Sequence, residues 1–466
     1  MTLEKFNMTK GLMDQILATA MSRGGDFADV FCEYGPFSSL VMEESILKTA
    51  GYSIGGGVGI RVVKGEKTGY AYTEVFEKKH FLKAARAAAT IAAGEGSKDS
   101  YPVSEIQKPS FYPFEETVTS MEDKIEWLYL ADRYARQLDP HVTKVIASFV
   151  ESMRTILIAD TRGRLGMDFQ PMVRLNVSVI VEKDGEIEDA QAGDGGRYSA
   201  DFFNKDKIKL LATQAVNEGL SLLSAKQSPA GMLPVILAPG DSGILLHEAI
   251  GHPLEADFNR RKTSAYSGRM GEMVASEQCT IIDDGTVPHD RGSINFDDEL
   301  NPSQRTTLIE NGKLVSYMYD EISARYFNQE STGNGRRESY QYQPLPRMRS
   351  TYMLAGAYGH DEIIASTEKG IYCRTFKGGQ VDISNGNFVF VPSDAYLIEG
   401  GKIKYPIKNL TLIGNGPDVL NKVSMVGNDF KMSPGIWTCG KGQTVPVGVG
   451  LPTIKISEMT VGGQDA

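Results

Sequence analysis

Residues Met232 to Pro253 read MLPVILAPGDSGILLHEAIGHP. The run Met232 to Leu237 is apolar and strand-like, and Pro239-Gly240-Asp241-Ser242 ends it in a turn. Asp241 or Ser242 is placed to cap a following helix, which passes through Ile244, Leu245 and Leu246 into His247. Strand, turn and helix together seat two of the chain's six histidines, His247 and His252, against a core strand. That is a rigid support for chemistry. Neutral imidazoles hold divalent ions, and a neighbouring carboxylate, here Glu248, can take a proton from bound water.

In the H-E-x-x-H spacing both imidazoles share one helix face. Here one further residue intervenes. At about 100° per residue, a five-residue step leaves the two side chains roughly 140° apart on a regular helix. Gly251 permits an unusual backbone, and Pro253 disfavours α geometry at His252. A turn widened by one residue, or a helix that ends at Gly251, returns His252 to the side of His247.

A catalytic zinc takes three protein ligands and leaves a position for water. Cys439 is the candidate third ligand, because Gly435, Gly440 and Gly442 let backbone approach closely and Lys441 favours a thiolate. Glu255, Asp257 and His289 are alternatives that spacing leaves open. The other cysteines, Cys32, Cys279 and Cys373, sit in apolar strand-like runs and read as buried, inert thiols.

Around this window the chain divides. Lys226 to Gly231 is the boundary, giving an N-terminal domain over 1–228 and a C-terminal domain over 229–466. Helices are expected over 8–23, 77–93, 119–137 and 203–223. Between the first two lie short strands at Asp29–Tyr34, Ser39–Glu43, Gly59–Val63 and Gly69–Tyr72, with Gly55-Gly56-Gly57 as a turn. Val142–Ala159 and Val173–Glu182 read as long strands, and Asp184-Gly185 as a hairpin turn. Beyond residue 229, Asn311-Gly312, Asn385-Gly386 and Gly400-Gly401 separate alternating apolar runs. The fold class is α+β: a mixed α/β domain, then a β-rich, mainly antiparallel, barrel-like domain that carries the metal motif.

Composition narrows the function. The chain has 466 residues, 41% hydrophobic and 23% charged, with a net charge of −10. That balance suits a soluble globular protein and opposes a phosphate-binding surface, so nucleic acid is not an expected partner. No apolar run approaches the length of about 20 residues that spans a bilayer, and the first residues lack the pattern of a signal peptide. Four scattered cysteines without paired spacing fit a reducing cytoplasm. The acidic run Asp297-Asp298-Glu299 reads as a solvated loop. Arg336-Arg337 and Arg347-Met348-Arg349 read as buried partners of carboxylates or as contacts for substrate; Arg336, Arg337 and Arg347 are the candidates for substrate binding.

The chain resembles the TldD/PmbA (TldE) family of peptidases, in the form of its metal-bearing subunit. The resemblance is carried by His247-Glu248-Ala249-Ile250-Gly251-His252-Pro253-Leu254-Glu255-Ala256-Asp257, by Thr332 to Tyr340 and by Pro346-Arg347-Met348. Gly378 to Ile383, Ser424 to Asp429 and Val445 to Gly450 continue it in family order across the second half. One departure is Leu300, after Glu299, where the family usually has glycine. The resemblance implies a cytoplasmic zinc peptidase that works as a heterodimer with a metal-free paralogue. It makes His247, His252 and Cys439 the ligands of Zn2+ and Glu248 the residue that activates water. Because an extended chain can bind a sheet edge of the β-rich half through main-chain hydrogen bonds, the expected substrates are short or unfolded peptides, including leader peptides. The competing expectations are a non-catalytic modulator or scaffold with a structural metal, and a hydrolase of non-peptide amides.

Overall fold

A computed structural model describes residues 3–91, 97–113 and 119–463. The first half is built on one antiparallel sheet with the strand order Lys67–Thr73, Ile46–Lys64, Phe27–Glu43, Val142–Asp160, Arg164–Lys183, onto which Glu186–Gly196 adds. The central strands are long, 17 to 20 residues each. Each end of the sheet therefore carries its own helix pair. Lys10–Ala20 buries Met13, Ile16, Leu17 and Ala20, an i, i+3, i+4, i+7 stripe, and packs with Lys78–Ile91 against one end. Met121–Leu138 and Lys205–Leu223 cover the other end, where Trp127, Phe149 and Phe203 meet edge to face. Asp184 and Gly185 both take positive φ, as the hairpin turn between Arg164–Lys183 and Glu186–Gly196 requires.

The glycine run is not a turn. Gly55, Gly56 and Gly57 lie inside Ile46–Lys64 and pair with Gly35, Tyr34 and Glu33. What these glycines supply is space. A Cβ on Gly57 would stand 2.3 Å from the Tyr340 ring, and one on Gly59 would stand 2.0 Å from the Tyr70 hydroxyl. Tyr340, from the second half, can lie on the sheet only because those side chains are missing.

The second half contains a closed five-stranded barrel in the order Lys369–Asp382, Gly231–Leu237, Ile454–Gly462, Thr411–Asn415, Asn387–Glu399, back to Lys369–Asp382. Only the pair of Gly231–Leu237 with Lys369–Asp382 is parallel. The short strand Lys226–Gln227 already pairs with Lys402–Lys408 at the barrel's side. A second sheet runs through Arg305–Glu310, Ile281–Asp284, Ser350–Met353 and Gly448–Leu451. Asn311-Gly312 and Gly400-Gly401 form hairpin turns at positive φ. The α+β architecture with a barrel-like second half is thus the one expected.

Asp297, Asp298 and Glu299 are buried, not solvated. They fill the contact between the halves: Arg61 lies 2.8 Å from Glu299 and pairs with Asp29, and Arg337 lies 3.2 Å from Asp29 and donates to the Asp298 carbonyl. Guanidinium and amide donors offset this burial only in part, and burial still pushes Asp297 up to about 6 and Glu299 up to about 8. Leu300 follows with φ 61. That backbone costs a branched residue about 1–2 kcal/mol. Its side chain, 1% exposed among Phe31, Ile156, Ile158 and Phe296, gives back a similar amount, roughly 1.5–3 kcal/mol. Gly166 makes the room, since a Cβ there would meet Leu300 Cδ2 at 2.5 Å.

Candidate metal centre

The helix that carries the histidines is buried apart from Glu248, which is half-buried. Ile244, Leu245, Leu246, Ala249 and Ile250 all belong to the main hydrophobic core. Tertiary packing therefore holds this short helix where propensity alone would not. Neither Asp241 nor Ser242 caps it. Asp241 instead accepts hydrogen bonds from Trp437 Nε1 (2.8 Å) and Ser433 Oγ (2.9 Å), tying the helix start to the segment that bears Cys439.

From His247 to Gly251 the helix widens into a π turn, and the His252 amide donates to the His247 carbonyl five residues back. The extra residue is absorbed there. The two imidazoles come together with ring centroids 4.9 Å apart and planes at 84°. Gly251 keeps ordinary helical angles, φ −55 and ψ −64, so backbone freedom is not its contribution. A Cβ on it would lie 1.9 Å from Met348 Sδ. Its role is to let Met348 pass.

Cys439 closes the group. Its sulfur lies 3.3 Å from His252 Nε2, and one donor atom from each of His247, His252 and Cys439 falls within 4.8 Å of the others. Bond lengths of about 2.0–2.3 Å around a tetrahedral zinc demand donor separations of this order. Two imidazoles and a thiol form a borderline-soft set suited to zinc, and His247 Nδ1 is buried without a hydrogen-bond partner among the described residues. The three side chains form a possible metal site.

The electrostatics favour a thiolate. Burial alone raises a thiol, as it does for Cys32, Cys279 and Cys373. At Cys439 the facing His247 and His252 more than reverse it, and the group falls well below its ordinary range. Burial opposes a charged His252, yet Glu255 and Cys439 outweigh it and raise the imidazole well above its usual value. Lys441 takes no part in this. Its ammonium is committed to Asp257 (2.6 Å) and Glu255 (3.1 Å).

Glu255 and Asp257 therefore stand behind the donors, not among them. Glu255 Oε2 lies 3.1 Å from His252 Nδ1 and fixes which nitrogen faces the sulfur. Burial raises Glu255, but Lys441, His252 and Arg347 bring it down to about 2. The i, i+3 step from His252 to Glu255 is the signal that marks this carboxylate in the sequence. His289 is elsewhere, stacked on Tyr198 and 3.0 Å from the Arg197 carbonyl.

The donors face a cavity of about 410 Å3, lined also by Glu248, Trp437, Lys441 and the strand segment Gly378 to Val381. Burial raises the Glu248 carboxyl against the two imidazoles, which lower it, and the balance lies above the ordinary value. That is the direction a general base needs. Gly378 to Val381 pairs on one side with Phe388 to Val391, and no strand among the described residues pairs with its other edge. Arg336, Arg337 and Arg347 do not line this cavity. All three are buried. Arg336 donates to the Met348 and Pro446 carbonyls, and Arg347 to those of Gln443 and Cys439 while facing Glu255 at 3.6 Å.

Its relatives make the protein a metallopeptidase. The chain belongs to the PmbA/TldD metallopeptidase family: the models of PmbA/TldA metallopeptidase domain 1, central domain and C-terminal domain match residues 28–92, 115–223 and 230–463. A metalloprotease TldD homolog of Haemophilus influenzae is 45% identical over 469 residues, covering 98% of this chain and 97% of that protein. A zinc metalloprotease TldD homolog of Saccharolobus solfataricus is 37% identical over 60% of each chain. Two solved structures share the fold. A Thermotoga maritima protein described as a modulator of a DNA gyrase has a TM-score of 0.79 at 22% identity, covering 99% of this chain and 100% of its own. TldE of Thermococcus kodakarensis has a TM-score of 0.74 at 19% identity, covering 97% and 100%.

Proposed function

We propose that the chain is a zinc-dependent peptidase that cleaves short or unfolded peptides, leader peptides among them, in the cytoplasm, and that it works with a metal-free TldE-like paralogue. The observation that carries this reading is the shared cavity: Glu248 lines it beside His247, His252 and Cys439. A zinc ion held by those three would supply Lewis acidity and a water of lowered pKa. Glu248 takes the water's proton and returns it to the leaving amine. Glu255 keeps His252 in the tautomer that presents Nε2. The free edge of Gly378 to Val381 offers main-chain hydrogen bonds to an extended peptide, which are indifferent to side chains.

A purely structural metal has no use for a carboxylate facing its cavity, and this weighs against the scaffold reading that the gyrase-modulator description of the Thermotoga protein would suggest. Among the described residues no helix is long and apolar enough to cross a membrane. The test presents one protein in its folded and its denatured, alkylated form to the zinc-loaded chain, alone and with the paralogue, with and without chelator. Chelator-sensitive cleavage of the denatured form is expected. Equal cleavage of both forms refutes selection for unfolded chains, and cleavage that survives chelation refutes the metal mechanism.

A further inference from the structure

A second cavity, about 1170 Å3, lies between the two halves of the protein. One wall is the outer face of the first sheet, with Asn176 and Ser178, and the helix that bears Glu218. The other is the barrel strand at Arg374 to Lys377 with Asp394 opposite.

This cleft adjoins the metal cavity along two continuous stretches of chain. The strand Lys369–Asp382 lines the cleft with Arg374 to Lys377 and the metal cavity with Gly378 to Val381. The segment after Lys431 lines the cleft as far as Ile436 and the metal cavity from Trp437 onward. Asp241 stands at the junction. It lines the cleft, and it accepts hydrogen bonds from Trp437 and Ser433. Ser242 Oγ covers the Arg374 carbonyl at 3.4 Å. The strand edge is therefore covered at Arg374, and no strand among the described residues pairs with it from Gly378 to Val381. A peptide that pairs with Gly378 to Val381 and continues toward Arg374 meets Ser242 and Asp241, beside which lies the cleft.

The lining is mixed. Asp394 pairs with Arg374 at 3.1 Å and Lys377 with Asp189 at 3.2 Å, while Phe376 and Ile436 add apolar surface. Neither an acyl chain nor a polyphosphate finds a matching surface there. An extended polypeptide, alternately polar and apolar, does.

We propose that the cleft between the halves is a substrate subsite that holds the part of an extended peptide lying beyond the metal cavity. This rests on the peptidase reading. The open edge of Gly378 to Val381 accommodates about four residues, roughly 13 Å at the rise of a strand. A peptide of that length fills the metal cavity alone, and only longer ones reach the cleft.

Binding, not turnover, tests this. Fluorescein-labelled peptides of four and ten residues sharing one core sequence are titrated by anisotropy onto the zinc-loaded full chain carrying Glu248→Gln. The longer peptide should bind at least tenfold tighter. Ser178→Trp on the sheet wall and Asn217→Trp on the helix wall, each added separately, should abolish that advantage by filling the cleft. Equal affinity for the two peptides overturns the proposal, as does an advantage that survives both substitutions. If the length advantage and its loss are seen while the wild-type chain, alone and with the paralogue, cleaves no peptide, the cleft stands as a peptide-binding site and the peptidase reading falls.

Discussion

Gly251→Ala tests the geometry of the π turn most directly. The added Cβ would stand 1.9 Å from Met348 Sδ, where ordinary contact begins at 3.4 Å, so one partner must give way by roughly 1.5 Å. Met348 is 0% exposed in the core, and its own backbone carbonyl accepts from Arg336. It has little room to retreat. Overpacking of this kind costs about 1–3 kcal/mol. If the turn yields instead, His252 moves away from Cys439, and the same 1–3 kcal/mol reappears as a zinc affinity weaker by about fivefold to more than a hundredfold. The zinc dissociation constant, measured by competition with a chromogenic chelator, is the quantity to follow, because it reports where His252 stands relative to the other donors. Met348→Ala in the same molecule should remove the clash and restore affinity to within about threefold of Met348→Ala alone. A coupling of about 0.5–3 kcal/mol between the two sites is expected for residues in contact. Additive effects, or wild-type affinity in Gly251→Ala, would show that glycine is there for some reason other than the passage of Met348.

Cys439→Ser should lose most of its zinc while circular dichroism shows the fold retained, because two imidazoles hold zinc poorly at an open site; full occupancy by metal analysis would remove Cys439 from the ligand set. Glu248→Gln should keep one zinc per chain and lose hydrolysis, since the near-isosteric amide accepts no proton; wild-type turnover would refute the general-base role. Glu218, pushed up to about 7 by burial and by Asp394, holds its proton in the folded state longer than in the unfolded one. Its raised pKa therefore contributes stability that is full below about pH 4.5 and lost as pH rises through about 7. Glu218→Gln should leave stability unchanged in acid and gain on the wild type across that window in denaturant titrations, and a constant difference at every pH would contradict the assignment.

What the sequence disclosed and what it hid follow one physical line. Local signals read well. The apolar run before Pro239, the paired turn residues at Asp184-Gly185 and Asn311-Gly312, and the i, i+4 stripes of the first-half helices each record a preference settled within a few residues. The awkward spacing of His247 and His252 also announced its own remedy, because only a widened turn or an ended helix could bring the two rings together. The long-range consequences were not legible. Sequence leaves Arg336, Arg337 and Arg347 open between buried pairing and substrate contact, and the structure shows them buried, donating to carbonyls that the sequence does not point to. Asp297 to Glu299 look solvated for the same reason. A charge is written in the sequence, and its compensation can be written far away, as Arg61 is from Glu299 and Asp29 from Arg337.

The glycines sharpen the point. Sequence shows where a side chain is missing and not whether the gap serves the backbone or a neighbour. Gly185 serves the backbone, with φ 87 in its turn. Gly57 and Gly251 keep ordinary backbones and serve Tyr340 and Met348. Both of those neighbours come from the segment between residues 332 and 349 that also supplies Arg337 to the contact between the halves and Arg347 to the carbonyl of Cys439. That segment touches the first sheet, the π turn and the cysteine strand at once. The candidate metal centre is thus assembled on the contact between the two halves as much as on the barrel. A substitution such as Gly57→Ala, far from any donor atom, pushes on Tyr340 and should reach zinc affinity through it.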